Sequence, residues 1–216
     1  MALNACGGLQ AEDPGRVLQD GGAAMAKLSS VSATLKFTKG TVSFQGYVLT
    51  SATAAVRLPT DSDTVYKVKY QDLLIGLEVV IAGGHVYLRP PFSGFTEVTG
   101  TTASEIPDLA KLFDAKTGLP AMIPAGQNPT SMGTEKVADV DSYKVGVTYS
   151  AAQIAKLLPQ LASTGDVAAI IWVGGSDHLI RKAVLSGPFG DGGADSSVEI
   201  DLSGFNSAVA IASPTP

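Results

Sequence analysis

The chain has 216 residues, 45% apolar and 16% charged, enough for one sizeable core, which excludes disorder over most of its length. Fifteen basic and 20 acidic side chains give a net charge of -5 without any run of lysine or arginine, which excludes a nucleic-acid partner. The longest apolar stretches, "LLIGLEVVIAGG" and "VAAIIWVGG", are roughly half the ~20 residues a membrane-crossing helix needs, so no helical span is expected.

A single cysteine cannot close an intramolecular disulfide, so Cys6 is either incidental or chemically used. Leu3, Asn4, Ala5 and Cys6 resemble a bacterial lipobox, with Leu three positions before the cysteine and a small residue directly before it. In that reading Cys6 becomes the lipidated first residue. Asn4 departs from the small or apolar residue usual there, and the basic and apolar regions of a secretory signal are missing. A stray N-terminal cysteine is the alternative. Residues 7–12 are polar, glycine-rich and unpatterned, as a tether between membrane anchor and domain would be. The chain therefore divides into a lipobox-like tether (1–12), one domain (13–208) and a C-terminal tail (209–216).

Asp13-Pro14 reads as a helix start, with Asp13 accepting from a free backbone N–H and Pro14 already holding a helical φ. A helix over residues 14–29 follows, with Val17, Leu18, Ala24, Met25, Leu28 and Val31 at helical spacing. Gly21-Gly22 interrupts it at roughly 1 kcal/mol per glycine relative to alanine. The pair predicts close packing against a sheet, or a weak point in the helix. From Ser32 the period becomes two. In "ATLKFTKG" Ala33, Leu35 and Phe37 alternate with polar residues, and in "TVSFQGYVL" Val42, Phe44 and Val48 share a face with Gly46. "TAAVRLPT" and "TVYKVKYQ" continue the pattern, Tyr66, Val68 and Tyr70 opposing Lys67 and Lys69. "GLEVVIAGGHVYLRP" is a hairpin turning at Gly83-Gly84, with Leu77, Val79, Ile81, Val86 and Leu88 inward.

"SEIPDLAKLFD" then places Ile106, Leu109, Leu112 and Phe113 on one helical face, and "TGLPAMIPAG" offers Leu119, Met122 and Ile123 before Pro124 stops the turn. "QNPTSMG" reads as a loop, and Pro129 removes Asn128 as a glycosylation site. "TEKVADVDSYKVGVTY" supplies two strands. Ser150 and Gln153 form a capping box for a helix with Ile154, Leu157, Leu158 and Leu161 on its apolar stripe, ended or kinked by Pro159. "VAAIIWVGGSDHLIRKAVLSG" is a second long hairpin, "SSVEIDLSGF" a last strand, and "SAVAIASPTP" trails off. The order of elements predicts an α+β domain, a curved antiparallel sheet covered on one side by helices.

Little in the chain is equipped for catalysis. His85 and His178 each sit beside a hairpin turn, and no HExxH, GxSxG or CxxC spacing accompanies them. Asp191 and Asp195 lie in "FGDGGADSS", which lacks the ligand spacing of a calcium loop and reads as a solvated hairpin loop. Glu78 alternates with apolar neighbours and is expected on the outward face. The Gly-Gly pairs form no phosphate loop. What stands out is the supply of Val, Ile, Leu and Ala on the inward strand faces and on three apolar helices, which suits either a packed core or a greasy cavity.

Several stretches, in order, resemble the LppX/LprA/LprF/LprG family of bacterial envelope lipoproteins, over residues 13–205. They are the helix after Asp13-Pro14 leading into "VSATLKF", then "GGHVYLRPPFSGFTEV", then "DAKTGLPAMI" with Asp114, Thr117, Gly118 and Leu119. "YKVGVTYSAAQIAKLLP" and "IIWVGGSDHLIRKAVL" with Trp172 and His178 complete the set. The resemblance implies a strongly curved antiparallel half-barrel, similar to the LolA and LolB carriers, with helices covering the concave face around a hydrophobic cavity for acyl chains. It also implies export, a membrane anchor through Cys6, and a place on the outer side of the cytoplasmic membrane.

The expected function is a lipid-binding envelope lipoprotein that carries or presents a multi-acyl lipid, glycolipid or lipoglycan, with an envelope lipid transporter as a further partner. The expected cavity residues are Leu35, Phe37, Phe44, Val48, Val68, Leu77, Val79, Ile81, Val86, Leu88, Ile171 and Val173 on strands. Leu109, Leu112, Phe113, Leu119, Met122 and Ile123 form the expected lid. A shift of one residue flips a strand's faces, and "AAIIWV" is apolar on both, so Trp172 is the alternative inward residue to Ile171 and Val173. No catalytic residue, metal or cofactor belongs to this reading. The alternative is a structural or partner-binding envelope lipoprotein with a closed cavity; a lipid hydrolase lacks a visible nucleophile and base.

Overall fold

A computed structural model of the chain describes residues 9–44, 46–157 and 163–215, apart from the side chains of Phe44 and Glu105. Cys6 and the helix positions Leu158, Pro159 and Leu161 lie outside the described residues. Helix α1 (Pro14–Met25) starts where the sequence places it, the Asp13 carboxylate accepting from the Arg16 backbone N–H at 2.8 Å. It ends four residues before Ser29. The serines that follow are poor helix formers that hydrogen-bond elsewhere: the Ser29 amide donates to Asn206 Oδ1 at 2.8 Å and the Ser30 hydroxyl to the Ser207 carbonyl at 2.6 Å.

The strands are β1 (Ser30–Lys39), β2 (Val42–Phe44), β3 (Tyr47–Arg57), β4 (Asp61–Tyr70), β5 (Leu73–Ala82), β6 (His85–Arg89) and β7 (Thr96–Val98), then β8 (Gln127–Val137), β9 (Val140–Tyr149), β10 (Val167–Gly174), β11 (Ile180–Gly187) and β12 (Ser196–Ser203). They form one 12-stranded sheet in the order β7-β6-β5-β4-β3-β1-β12-β11-β10-β9-β8, with β2 paired to β3. Every pairing is antiparallel. Two meanders, β1 to β7 and β8 to β12, are thus joined where β1 pairs with β12, and the sheet stays open as a half-barrel of the α+β class with edges at β7 and β8.

Residues 99–126 connect one edge of the sheet to the other and carry the short helices α2 (Gly100–Glu105), α3 (Leu109–Leu112) and α4 (Leu119–Met122), with a 3-10 turn at Ile123–Ala125. Helix α5 (Ala151–Leu157) opens with the expected capping box, Gln153 Oε1 accepting from the Ser150 amide at 2.8 Å and Ser150 Oγ from the Gln153 amide at 3.3 Å. The Gly83-Gly84 hairpin also forms as read, both glycines at positive φ.

Four local readings change. The stretch "TVSFQGYVL" is a hairpin, β2 and β3, with Gly46 at φ +83°. The segment "SEIPDLAKLFD" is not one helix, because Pro107 drives Ile106 into an extended conformation that ends α2, and Asp108 recaps α3. "QNPTSMG" belongs to β8, whose irregular register accommodates Pro129 because β8 is an edge strand. The last segment packs: Val209 and Ile211 join Val80, Ala82, Tyr87 and Phe95 in a second apolar cluster, and Arg57 donates to the Ile211 carbonyl at 3.0 Å.

The glycine pair in α1 serves close packing. A Cβ on Gly21 would meet Val173 and Ile180 at 3.5 to 3.6 Å, ordinary contact, whereas one on Gly22 would lie 2.5 Å from the Pro120 carbonyl oxygen. Gly21→Ala is therefore expected to stabilise the fold by up to about 1 kcal/mol, through helix propensity. Gly22→Ala is expected to destabilise it by about 1–3 kcal/mol, through overpacking. Thermal unfolding of the two variants checks the contrast; equal shifts would remove α4 and its turn as the partner of α1.

Candidate functional site

Cross-strand partners in an antiparallel ladder project to the same side, so register traces one face across the whole sheet. Leu35 pairs with Ala52 and Ile200; Ala52 leads to Tyr66 and Leu77 in one direction, and Ile200 to Ala183, Ile171 and Val145 in the other. Val79 and Ile81 continue the row beside Leu88 and Val86. Helix α1 packs on Val173 and Ile180, which makes this the covered, inner face.

Of the strand residues nominated from sequence, Leu35, Phe37, Val68, Leu77, Val79, Ile81, Val86, Leu88, Ile171 and Val173 share it. Val48 does not. A register shift between Leu49 and Ser51 leaves Thr50 as an extra residue, so Leu49 stands opposite Val68 while Val48 pairs with Lys69 on the other side. Phe44 pairs with Tyr47, and its side chain lies outside the described residues. Trp172 points outward, its Nε1 donating to Glu135 Oε2 at 3.1 Å and its ring flanked by the ammonium groups of Lys144 and Lys182 at 4.9 and 5.7 Å. Those contacts, first Lys144 and then Trp172, hold the Glu135 carboxyl below its ordinary range. Tyr47, Leu49 and Ile75 are inner-face members that the strand pattern did not single out.

The inner face has two halves. Under α1, the residues of β1, β9, β10 and β12 belong to the main packed cluster with Val17, Leu18 and Met25. On β4 and β5, Val68, Val79 and Ile81 are buried yet belong to neither apolar cluster, and Leu77, Val86 and Leu88 are half-buried. Row Leu73, Ile75, Leu77, Val79, Ile81 runs from 68% exposed at its start to 6% at its end.

The nominated lid residues lie in the link between the sheet edges. Phe113 and Ile123 are buried in the main cluster, and Leu109, Leu112, Leu119 and Met122 pack against it half-buried. Tyr149 OH donates to the Ile123 carbonyl at 3.0 Å and Gln153 Nε2 to the Ala125 carbonyl at 2.9 Å, which ties the end of the link to the sheet and to α5. Burial pushes the Tyr149 phenol above its ordinary pKa. Between α3 and α4, Asp114 accepts from the Thr117 hydroxyl and from the Thr117 and Lys116 amides, which holds its carboxyl below the usual range and closes the turn. Gly118 backs directly onto the Leu112 carbonyl, leaving no room for a side chain.

Among the described residues, the buried polar side chains on the inner face carry hydroxyls. Thr64 Oγ1 and Tyr66 OH are buried without a hydrogen-bond partner, and burial pushes the Tyr66 phenol up to about 12, offset in part by the neighbouring Thr64. His85 sits 2.7 Å from Glu97 on the exposed hairpin, and Glu78 pairs with Arg89 on the outer face, as its alternation implies. Burial raises the pKa of Asp191, but hydrogen bonds from Ser43 and Thr41 outweigh it; the carboxylate fastens the β2 strand to its loop. Among the described residues no three His, Cys, Asp or Glu side chains converge as metal ligands. Cavities of about 420 and 260 Å³ open at the Leu77–Phe92 edge and between α4 and α5. Neither follows the inner face. No helix among the described residues is long and apolar enough to cross a membrane.

Because desolvation of the Tyr66 hydroxyl is offset only in part, by Thr64, Tyr66→Phe is expected to leave stability unchanged or raise it by about 1 kcal/mol. Urea unfolding reads the change; a loss above that size would mean that the hydroxyl has a partner.

The sequence matches the LppX_LprAFG lipoprotein family over residues 13–211. The crystal structure of LprF from Mycobacterium bovis is similar at TM-score 0.76 and 22% identity, covering 97% of this chain and 100% of that one. That of lipoprotein LppX from Mycobacterium tuberculosis is similar at TM-score 0.67 and 21% identity, covering 93% and 100%. No curated protein matches the sequence.

Proposed function

The chain belongs to the LppX_LprAFG lipoprotein family, and from that premise we propose that it holds the acyl chains of a multi-acyl lipid or glycolipid and carries or presents that lipid in the cell envelope. The observation that carries the reading is the continuous apolar inner face, in particular its β4 to β6 half, where Val68, Val79 and Ile81 are withdrawn from water without joining either packed cluster. Each CH₂ moved from water onto such a face is worth about 0.8 kcal/mol. Two or three acyl chains therefore supply ample affinity without a directional contact, and selectivity comes from space.

In this reading residues 13–208 bind the lipid, with the segment to Ile211 strapped to their outer face. Cys6 is the site of lipidation, residues 7–12 the tether, and the protein sits outside the cytoplasmic membrane with an envelope lipid transporter as partner. The link carrying Leu109, Leu112, Phe113, Leu119, Met122 and Ile123 is the lid. Its helices are short pieces bounded by Pro107, Pro120 and Pro124, joined by turns that can shift without unfolding the sheet. One observation favours the second reading, a structural or partner-binding envelope lipoprotein with a closed interior: the two cavities flank the inner face rather than follow it.

Organic extraction of the purified protein, with mass spectrometry of the extract and of the intact protein, separates the two. Stoichiometric multi-acyl lipid is expected, lost in Val79→Trp, where an indole would fill the inner face, and kept in Thr53→Trp, at an exposed position of the outer face. Protein that stays empty and refuses added diacyl and triacyl lipids would leave the structural reading. Hydrogen exchange over residues 104–126 is expected to slow when lipid is bound; equal protection with and without lipid would remove the lid.

A further inference from the structure

Large apolar side chains are unevenly exposed. Of the six most exposed among the described residues, Tyr70 at 47%, Leu73 at 68%, Leu74 at 61% and Phe92 at 108% gather at one end of the sheet. Register fixes the arrangement. Tyr70 pairs with Leu73 and Lys69 with Leu74 at the β4–β5 tip, so consecutive leucines project from opposite faces of a strand start where neither meets a core. Tyr47, from the β2–β3 hairpin, stands 5.3 Å from the Tyr70 ring. Phe92 follows Pro90-Pro91 and borders the groove beside Gly76 and Leu77. It holds φ +62°, a conformation that bulky residues rarely adopt and that turns its ring to solvent. The opposite rim is strapped by the C-terminal segment, through the Arg57 bond to Ile211. Among the described residues the Leu73 end has no such strap.

We propose that this rim, Tyr70, Leu73, Leu74 and Phe92 flanked by Lys67 and Lys69, inserts shallowly into an anionic lipid bilayer; the proposal rests on the lipid-binding reading and names the surface from which lipid enters. Aromatic and branched side chains on turn tips suit the interface between headgroups and acyl chains. Lys67 and Lys69 are exposed and free of ion pairs among the described residues, against one acid, Asp72, at the tip. On a chain of net charge -5, a local excess of lysine beside exposed leucines matches the negative surface of such a membrane. A polar protein surface would instead leave the leucines and Phe92 unburied. The inner row gives insertion its purpose. From Leu73 to Ile81 it extends about 26 Å at ~3.3 Å per residue, an unbroken apolar path from the exposed tip to the buried interior.

The test uses the full chain with Cys6→Ser in every arm, so that no acyl anchor contributes. Flotation with phosphatidylcholine vesicles, with and without phosphatidylglycerol, is expected to show binding that strengthens with the anionic lipid. The variant Leu73→Ser/Leu74→Ser/Phe92→Ser is expected to weaken it about tenfold or more, with its unfolding midpoint unchanged because all three side chains are exposed. Phe92→Trp is expected to be quenched by brominated acyl chains in the same vesicles. A triple variant that floats like its parent, or a parent that does not float, overturns the rim. Lipid supplied as monomers from cyclodextrin tests the interior separately: Leu74→Ser/Phe92→Ser, which leaves the inner row intact, is expected to load normally. If neither protein loads, the lipid-binding reading fails while flotation alone still decides the rim.

Discussion

The pairing of the first strand with the last is the constraint on which the rest depends. Leu35 against Ile200 and Phe37 against Val198 put residues more than 160 positions apart in one ladder. Without that pairing the two meanders are separate sheets, each with an apolar face and unpaired edges that must be covered some other way. With it, one face runs from β7 to β8, the two end strands of the sheet. The hydrogen bonds of Ser29 and Ser30 to Asn206 and Ser207 lock the same junction from outside, immediately beyond the strand ends. Such long-range closure is entropically late in folding.

The same topology decides where the helices go. Strands β7 and β8 are consecutive in the chain yet lie at opposite edges of the sheet, so residues 99–126 have to bridge the mouth of the half-barrel. A bridge across the concave side meets apolar strand faces and is itself apolar, whereas one across the convex side would meet Lys67, Lys69 and the Glu78–Arg89 pair. Its anchoring is asymmetric. Near β8 it is bonded to Tyr149 and Gln153 and wedged against Gly22 of α1, while near β7 the helix α2 has no side-chain cap. The packed half of the inner face lies under α1, against which the anchored end is wedged.

Much of this was legible in the sequence because a half-buried antiparallel strand writes its faces in alternate residues. Leu77, Val79 and Ile81 on one arm and Val86 and Leu88 on the other could be assigned once Gly83-Gly84 marked the turn, and the alternation of "ATLKFTKG" placed Leu35 and Phe37 in the same way. Val48 was not legible, since the extra residue Thr50 reverses the alternation and threonine is as acceptable in a regular strand as in a bulge. In "AAIIWV" composition was silent, and the lysines of β9 and β11 decided the matter by offering Trp172 an outer partner. "QNPTSMG" looked like a loop because proline and glycine are expected outside strands, a rule that an edge strand is free to break. The strap formed by Val209 and Ile211 is too short to show any period, and only the tertiary structure reveals the patch that it covers.

The function was the least legible part, for a reason rooted in the interaction itself. Dispersion and the hydrophobic effect are non-directional, so a surface for acyl chains needs no residue in a special geometry and leaves no spaced motif. The distinction between such a surface and an ordinary core lies in what covers it. In β9 and β10 the inner residues lie against α1 and are a core by that criterion. In β4 and β5 the same residue types are dry, yet stand outside the packed clusters beside two hydroxyls, Thr64 Oγ1 and Tyr66 OH, that have no partner. A core selected only for stability would fill the space and satisfy or remove both hydroxyls, since each costs about 1–3 kcal/mol when left unbonded. Both costs fall on the β4–β6 half of the face, which is where, under the proposed function, an acyl chain would add apolar contacts.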